Sequence, residues 1–189
     1  MTDGDAAPRR DRILSAAASE FAQHGFAGAR VERIAATAGV NKQLLFHYFG
    51  SKRGLHHAAL RSLLERPAAP AQPTTPPVER LRGLVVQLTG TVEAHPALLA
   101  ILASPGSDPE TERLARDWTD RAKRQGRQIL QDGQKSGYLR DDADVDSVAE
   151  VVVGAALGLA AASDRGAAGR RHSYLESLLR MTVEYCSWR

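Results

Sequence analysis

Five of the nine prolines in the chain fall between residues 67 and 77, inside the segment RPAAPAQPTTPPVER. Proline lacks a backbone N–H donor and fixes φ, so neither an α-helix nor a central β-strand continues through so dense a run. The segment is therefore predicted to be an extended linker between two separately folded blocks. A chain of 189 residues is long enough for a small domain followed by a medium one.

Both blocks show the hydrophobic periodicity of α-helices, and no segment alternates convincingly like a strand. In the first block, Gly25 and Gly39 are predicted to end the first two helices, and Asn41 and Ser51 to cap the third and fourth. The predicted helices cover about 9–24, 31–38, 42–48, a fourth ending near 66, then 78–93, 97–103, 108–135 and two more to the C-terminus. The sequence thus predicts an all-α protein of about nine helices.

Composition excludes several classes of protein. The longest apolar run, 151–162, is shorter than the ~20 residues that span a bilayer, and the polar N-terminus has no signal-peptide core. The single cysteine, Cys186, cannot form an internal disulfide, and no Cys/His spacing suggests zinc. We therefore expect a cytoplasmic protein.

The charge is distributed unevenly between the two blocks. Residues 1–66 hold ten Lys and Arg against six Asp and Glu, whereas residues 67–189 hold fifteen against sixteen. An excess of positive charge in the first third suggests an anionic partner there, although ordinary scatter would also explain it.

Small residues at specific spacing predict a helix-turn-helix within VERIAATAGVNKQLLFHYF. Ala35 allows a close helix crossing, Gly39 four residues later suits a tight turn with positive φ, and Leu45 six residues beyond points back into the angle. Ile34 and Val40 fill the remainder of that core. The spacing is that of DNA-binding helix-turn-helix proteins, with an ordinary αα-hairpin as the alternative.

From about residue 10 to 60, the chain resembles the N-terminal domain of the TetR family of bacterial transcriptional regulators. The matching segments are ILSAAASEFAQHGF, VERIAATAGV and LLFHYFGSKRGL. The resemblance implies a disordered tail at 1–8, a three-helix DNA-binding domain with a connecting fourth helix at 9–66, a linker at 67–77, and a helical effector-binding and dimerisation domain at 78–189.

The resemblance also implies roles for individual residues. The expected base-reading residues are Lys42, Gln43 and Leu44, because the opening of the third helix enters the major groove in this family. The expected phosphate contacts are Arg30, Phe46, His47, Tyr48 and Lys52. The expected core of the motif is Ile34, Ala35, Gly39, Val40, Leu45 and Phe49.

Two positions depart from the family pattern. Phe46 stands where a tyrosine is usual, so its phosphate-binding hydroxyl is missing, and His47 or Tyr48 is expected to replace that bond. The second helix opens with Ala29–Arg30 rather than Thr or Ser, which removes an expected cap but offers the charge of Arg30. Glu32 and Arg33 on the same helix are interpreted as a solvated face.

The second block resembles the family only in architecture. Residues expected to line a ligand cavity, with ordinary core as the alternative, are His95, Leu98, Leu99, Leu102, Trp118 and Tyr138. Small residues allow close helix approach, and the expected dimer interface is Val151, Gly154, Ala155, Gly158, Leu175, Leu178 and Leu179. A two-fold dimer would place two reading heads about one duplex turn apart, ~34–36 Å or somewhat more.

We therefore expect a homodimeric, ligand-responsive repressor that binds a pseudo-palindromic double-stranded operator and is released by a small, apolar or aromatic effector. We expect no cofactor, no metal site and no enzymatic activity, since adjacent His56 and His57 diverge on a helix and no catalytic motif is present. Two alternatives stay open: a DNA-binding regulator without a small-molecule effector, controlled by a protein partner or acting as an activator, and an enzyme or adaptor that reuses the hairpin.

Overall fold

The computed structural model describes residues 6–65, 75–94, 108–161 and 168–187, and within these ranges all regular structure is helical. The helices are α1 (Ala6–Gly28), α2 (Val31–Ala38), α3 (Lys42–Phe49), α4 (Lys52–Leu64), α5 (Pro77–Ala94), α6 (Pro109–Lys135), α7 (Val145–Ala161) and α8 (Ala168–Cys186). The all-α prediction is confirmed, while the additional helix predicted over 97–103 lies outside the described residues. No helix in the described ranges combines the length and the apolar character needed to cross a membrane.

Two helix ends differ from their predicted positions. The first helix begins at Ala6, so residues 6–8 are helical although they were expected to belong to the tail. The backbone leaves the helical conformation at Gly25, with φ 64° and ψ 175°, at the predicted stop, and a further turn follows to Gly28. The fifth helix begins at Pro77, the last residue of the predicted linker, because proline is tolerated in a first turn where its missing N–H has no partner to lose.

The described residues divide into two compact units, one with 6–65, 94 and 108–116, and one with 75–93, 117–161 and 168–187. Residues 108–116 thus group with the first unit, although they belong to the segment predicted as the C-terminal domain. Ion pairs from α4 account for part of this grouping: His57 Nε2 lies 2.5 Å from Asp108 Oδ2, and Arg61 Nη2 lies 2.7 Å from Glu110 Oε1.

The first unit is built around one apolar cluster contributed by α1 to α4. Apolar residues at helical spacing on α1 face both α2 and α4, so that α1 is the central support of the motif. Its buried members include Ile13, Leu14, Ala17, Phe21, Ile34, Ala35, Leu45, Leu55 and Ala59.

The second unit is a bundle of α5, most of α6, α7 and α8. Its core is aliphatic, with α7 contributing Val145, Ala149, Val152, Val153, Ala156 and Ala160. Two ion pairs link α6 to α7, one between Lys123 and Glu150 at 2.6 Å and one between Arg127 and Asp146 at 2.5 Å. The partners are four residues apart on each helix, so both pairs fit one register of the two helices.

Candidate nucleic-acid interface

The turn between α2 and α3 has the geometry that its small residues predict. Gly39 adopts the left-handed conformation, with φ 66° and ψ 38°, which a side chain would disfavour. The Gly39 N–H donates to the Ala36 carbonyl at 3.2 Å, and the Val40 N–H donates to the Ala35 carbonyl at 3.0 Å. Ala35 is buried at the crossing. These bonds close α2 and fix the direction in which α3 departs.

The third helix is held by its cap and by one apolar face. The Asn41 side chain accepts a hydrogen bond from the Leu44 N–H at 2.8 Å, as predicted for an N-cap. Leu45 is fully buried in the motif core, with Val40 and Phe49 packed half-buried against it. A short helix anchored on one face in this way presents its other face in a defined orientation.

The opposite face of α3 is open to solvent. Lys42, Gln43, Phe46 and His47 are exposed, and Leu44 is half-buried. Tyr48, which was expected on the phosphate side, is half-buried and packs against the apolar core. His47 is therefore the more accessible polar ring near the end of the helix, with its centroid 5.8 Å from that of Tyr48.

The Lys42 ammonium is held from two sides. Its Nζ lies 2.5 Å from Glu32 Oε1 on α2, and it sits 5.7 Å from the centroid of the Phe46 ring one turn further along α3. The hydrogen bond from Lys42 holds the pKa of Glu32 below its usual value. Two charged side chains and an aromatic ring thus meet on the open side of the motif.

The Lys52 ammonium contacts the end of α1. Its Nζ donates to the Ala27 carbonyl at 3.3 Å and lies 5.0 Å from the centroid of the Phe26 ring. Lys52 stands in the first turn of α4, where Ser51 caps the helix by accepting from the Gly54 N–H at 3.0 Å. A cation beside free N–H groups at a helix N-terminus suits an anion such as a phosphate.

The N–H of Arg30, the N-cap residue of α2, is bound by a residue of α1 that the sequence analysis did not identify, while the Arg30 side chain makes no cap bond. Glu20 Oε1 accepts from the Arg30 N–H at 2.8 Å and from Arg33 Nη2 at 2.6 Å. These bonds lower the pKa of Glu20, the contact with Arg33 being the largest cause. Arg33 is therefore engaged within the motif, while the Arg30 side chain remains exposed. No local pattern marks Glu20, because it is ten residues from the N–H that it caps.

The remaining predicted sites are placed only in part. Trp118 is buried and Tyr138 is exposed, while the other four residues of the predicted cavity lie outside the described ranges. On the predicted dimer interface, Val151, Gly154 and Gly158 are exposed and Leu179 is buried within its own unit. In the described part of the chain, no group of three potential metal ligands comes together.

Comparisons with known proteins agree on one family. The family model for bacterial regulatory proteins of the tetR family matches residues 13–59. The chain is 35% identical over 144 residues to the HTH-type transcriptional repressor SCO4008 of Streptomyces coelicolor, covering 75% of this chain and 72% of that protein. It is 33% identical over 157 residues to the HTH-type transcriptional repressor KstR2 of Mycobacterium tuberculosis, covering 77% and 76%.

Solved structures show the same fold over nearly the whole chain. KstR2 of Mycobacterium tuberculosis, described as a ketosteroid transcriptional regulator, matches with a TM-score of 0.62 and 25% identity over 96% of each chain. A regulator from Saccharomonospora viridis in complex with choline matches with a TM-score of 0.77 and 23% identity, over 97% of this chain and 100% of that one. The chain therefore belongs to the TetR family of bacterial regulatory proteins and is a helix-turn-helix transcriptional repressor that binds DNA.

Proposed function

We propose that α3 is the reading helix of this repressor and that Lys42, Gln43 and Leu44 contact base edges in the major groove. The observation that carries the proposal is the division of α3 into two faces: Leu45 is buried in the core, whereas Lys42 and Gln43 are exposed and Leu44 is half-buried. Lys42 suits the O6 and N7 acceptors of guanine, Gln43 suits adenine, and the Leu44 side chain suits a thymine methyl.

The phosphate contacts surround this reading surface. Arg30 opens α2, Lys52 opens α4, and His47 supplies the accessible polar ring at the end of α3. His47 takes the place of the hydroxyl that Phe46 lacks, and the hydroxyl of half-buried Tyr48 assists it. Phe46 keeps an apolar contact with the sugar-phosphate backbone. Together these groups orient the motif without reading sequence.

Two copies of the chain form the operator-binding unit. The faces of α7 and α8 support this proposal, since Val151, Tyr174 and Met181 are each more than half exposed in the isolated chain. Gly154 and Gly158 lie beside Val151 at helical spacing and allow a close approach of a second helix. A two-fold dimer then recognises a pseudo-palindromic site.

A small apolar or aromatic molecule bound in residues 78–189 releases the repressor from its operator. The resemblance to a ketosteroid regulator supports an apolar effector, since a steroid nucleus is a rigid hydrocarbon frame. Such a molecule must favour the conformation that does not bind DNA by a few kcal/mol to act as a switch. The repressor acts in the cytoplasm, and we assign it no enzymatic reaction.

Selection of bound sequences from random duplexes tests the assignment of α3. The operator that emerges is then titrated with wild type, Lys42→Ala and Lys52→Ala at several salt concentrations. We expect Lys42→Ala to relax base preference at one position of each half-site, and Lys52→Ala to weaken all duplexes and reduce the salt slope by about one.

Two outcomes would count against the proposal. Equal losses by both variants on operator and random DNA would remove the base-reading role of Lys42. Absence of any salt-dependent DNA binding by the wild type would favour an adaptor that reuses the hairpin.

A further inference from the structure

A carboxylate on the open side of a DNA-binding surface needs an explanation, because it repels phosphates. Glu32 is exposed, with 64% of its side chain accessible, and its Oε1 lies 2.5 Å from Nζ of the proposed base-reading residue Lys42. The Phe46 ring lies on another side of the same ammonium. Glu32 thus contacts the group that we assign to base recognition.

We propose that Glu32 is a specificity-determining residue of this repressor, which positions Lys42 and weakens its binding to DNA that offers no guanine at the matching base pair. The proposal rests on the proposed function of α3 and adds to it a residue that touches neither a phosphate nor a base. The chemical partner that it selects is a guanine edge, with its O6 and N7 acceptors.

The physical basis is a competition for one ammonium group. On random DNA, Lys42 meets phosphates or mismatched base edges. To bind them it must give up its contact with Glu32, so one charged contact is exchanged for another and little binding free energy is gained. At a guanine, two fixed acceptors at the groove edge bind the ammonium, while its contacts with Glu32 and with the Phe46 ring limit the directions in which the Lys42 side chain extends. The negative charge of Glu32 weakens binding to every duplex. Only the contact of Lys42 with a guanine at the matching base pair compensates for this loss, so the unfavourable charge increases specificity.

The other charged residues of α2 show why Glu32 is singled out. Arg33 is bound to Glu20 within the motif, and Arg30 acts on Glu32 only through its charge, so Lys42 is the cation that hydrogen-bonds Glu32 among the contacts described. Glu32 also lies in the first turn of α2, where a carboxylate stabilises the helix through its N-terminal dipole. If Glu32 had only this structural role, its substitution would change the stability of the protein and not its DNA specificity, and the two effects can be measured separately.

The test compares wild type, Glu32→Gln and the matched control Glu65→Gln, which neutralises an exposed glutamate at the end of α4 in the same unit. Each is titrated by fluorescence anisotropy against the selected operator and against a random duplex, and each is used to select sequences again. Urea unfolding of the three proteins reports any change in stability.

We expect Glu32→Gln to bind the random duplex about fivefold more tightly, because one negative charge near the phosphates is removed. Operator affinity is expected to change less than about twofold, so the ratio of operator affinity to random-duplex affinity falls several-fold. The selected sequences should lose preference at the same base pair as those of Lys42→Ala, and adding Glu32→Gln to Lys42→Ala should relax nothing further. Glu65→Gln should leave the ratio unchanged.

Two results would overturn the role of Glu32. An equal gain in affinity of Glu32→Gln for both duplexes would mean that Glu32 acts only through its general negative charge. A loss of preference at a different base pair would mean that Glu32 itself contacts a base. A wild type that binds no DNA in a salt-dependent way would instead overturn the proposed interface, and the wild-type titration alone reveals that case. A change in urea midpoint with an unchanged selection profile would assign Glu32 to the dipole of α2 and also overturn the proposal.

Discussion

At the scale of single residues, Gly54 allows the start of α4 to lie close to the end of α3. A Cβ built at this position overlaps the Phe49 carbonyl oxygen, and the neighbouring backbone must move to admit it. Alanine normally stabilises a helix interior relative to glycine by about 1 kcal/mol, but here the steric clash reverses the sign. We expect Gly54→Ala to lower the free energy of unfolding by about 2 kcal/mol and to weaken operator binding, as measured by urea unfolding and anisotropy.

A matched control for this substitution is available on α5. A Cβ at Gly83 meets no atom within 4 Å, so Gly83→Ala should stabilise the protein by about 0.5–1 kcal/mol. If Gly54→Ala proved as stabilising as Gly83→Ala, the close packing of α4 against the end of α3 would be disproved.

The two kinds of helix cap show which residue roles the sequence reveals. Asn41 and Ser51 were predicted as caps because each bonds an N–H only three residues away, so the local pattern carries the information. Glu20 was missed because it caps α2 from α1, ten residues earlier, and only the packed arrangement of the two helices brings it there. For the same reason, the contact of Glu32 with Lys42 was unseen and Glu32 was interpreted as a solvated side chain.

At the scale of elements, α4 packs against α1 through a histidine whose charge is suppressed. His56 lies edge-on to Phe21, with ring centroids 4.7 Å apart, and near Phe26 at 5.2 Å. Burial lowers the pKa of His56 from 6.5 to about 4, with the nearby positive charge of His57 adding to the effect. The folded protein therefore holds this ring neutral at pH values where the unfolded chain protonates it.

The consequence is a loss of stability on acidification between pH 6.5 and about 4. In that window the unfolded chain binds a proton that the folded one does not, so the free energy of unfolding falls as the pH falls. Each pKa unit corresponds to about 1.4 kcal/mol, and partial screening by water at the half-buried ring leaves a loss on the order of 2 kcal/mol. Urea unfolding in the upper part of this window, above the range in which carboxylates with lowered pKa values such as Glu20 and Glu110 begin to bind protons in the unfolded chain, should show this slope in the wild type and its removal in His56→Gln. A slope that survives in His56→Gln would assign the proton to another group.

The helix bounds were predictable to within a few residues, whereas it was less predictable which side chains on each helix are buried and which are exposed. Hydrophobic period and glycine breaks located α2, α3 and α4, because these signals are local. The half-buried position of Tyr48 was not predicted. The rings of Phe46, Tyr48 and Phe49 lie within two turns of α3, and only the packing of α1 and α4 decides which of them points into the core.

At the scale of the whole molecule, the fold class and the family followed from the sequence, but the surfaces of the second unit did so only in part. Gly154 and Gly158, which the small-residue pattern placed in a dimer interface, are exposed on α7. On α8, however, Leu179 is buried in its own unit, whereas Tyr174 and Met181 are exposed. An amphipathic helix in a bundle carries apolar residues toward both its own core and a partner, and period alone does not separate the two.

These exposed faces make a dimer the assembly to test. We expect the wild-type Tm to rise with protein concentration, since association binds the folded chain and not the unfolded one. Met181→Glu places a charge on the α8 face and should abolish that rise, yield monomers in analytical ultracentrifugation, and weaken operator binding by at least about 100-fold because the two heads no longer bind as one unit. Val86→Glu is the comparison variant, as Val86 is 60% exposed and lies on α5, outside α7 and α8. If Val86→Glu disrupts the dimer and Met181→Glu does not, the interface includes α5 in place of the α8 face. In that case the reading heads would be held apart by a different pair of helices from those assigned to the interface.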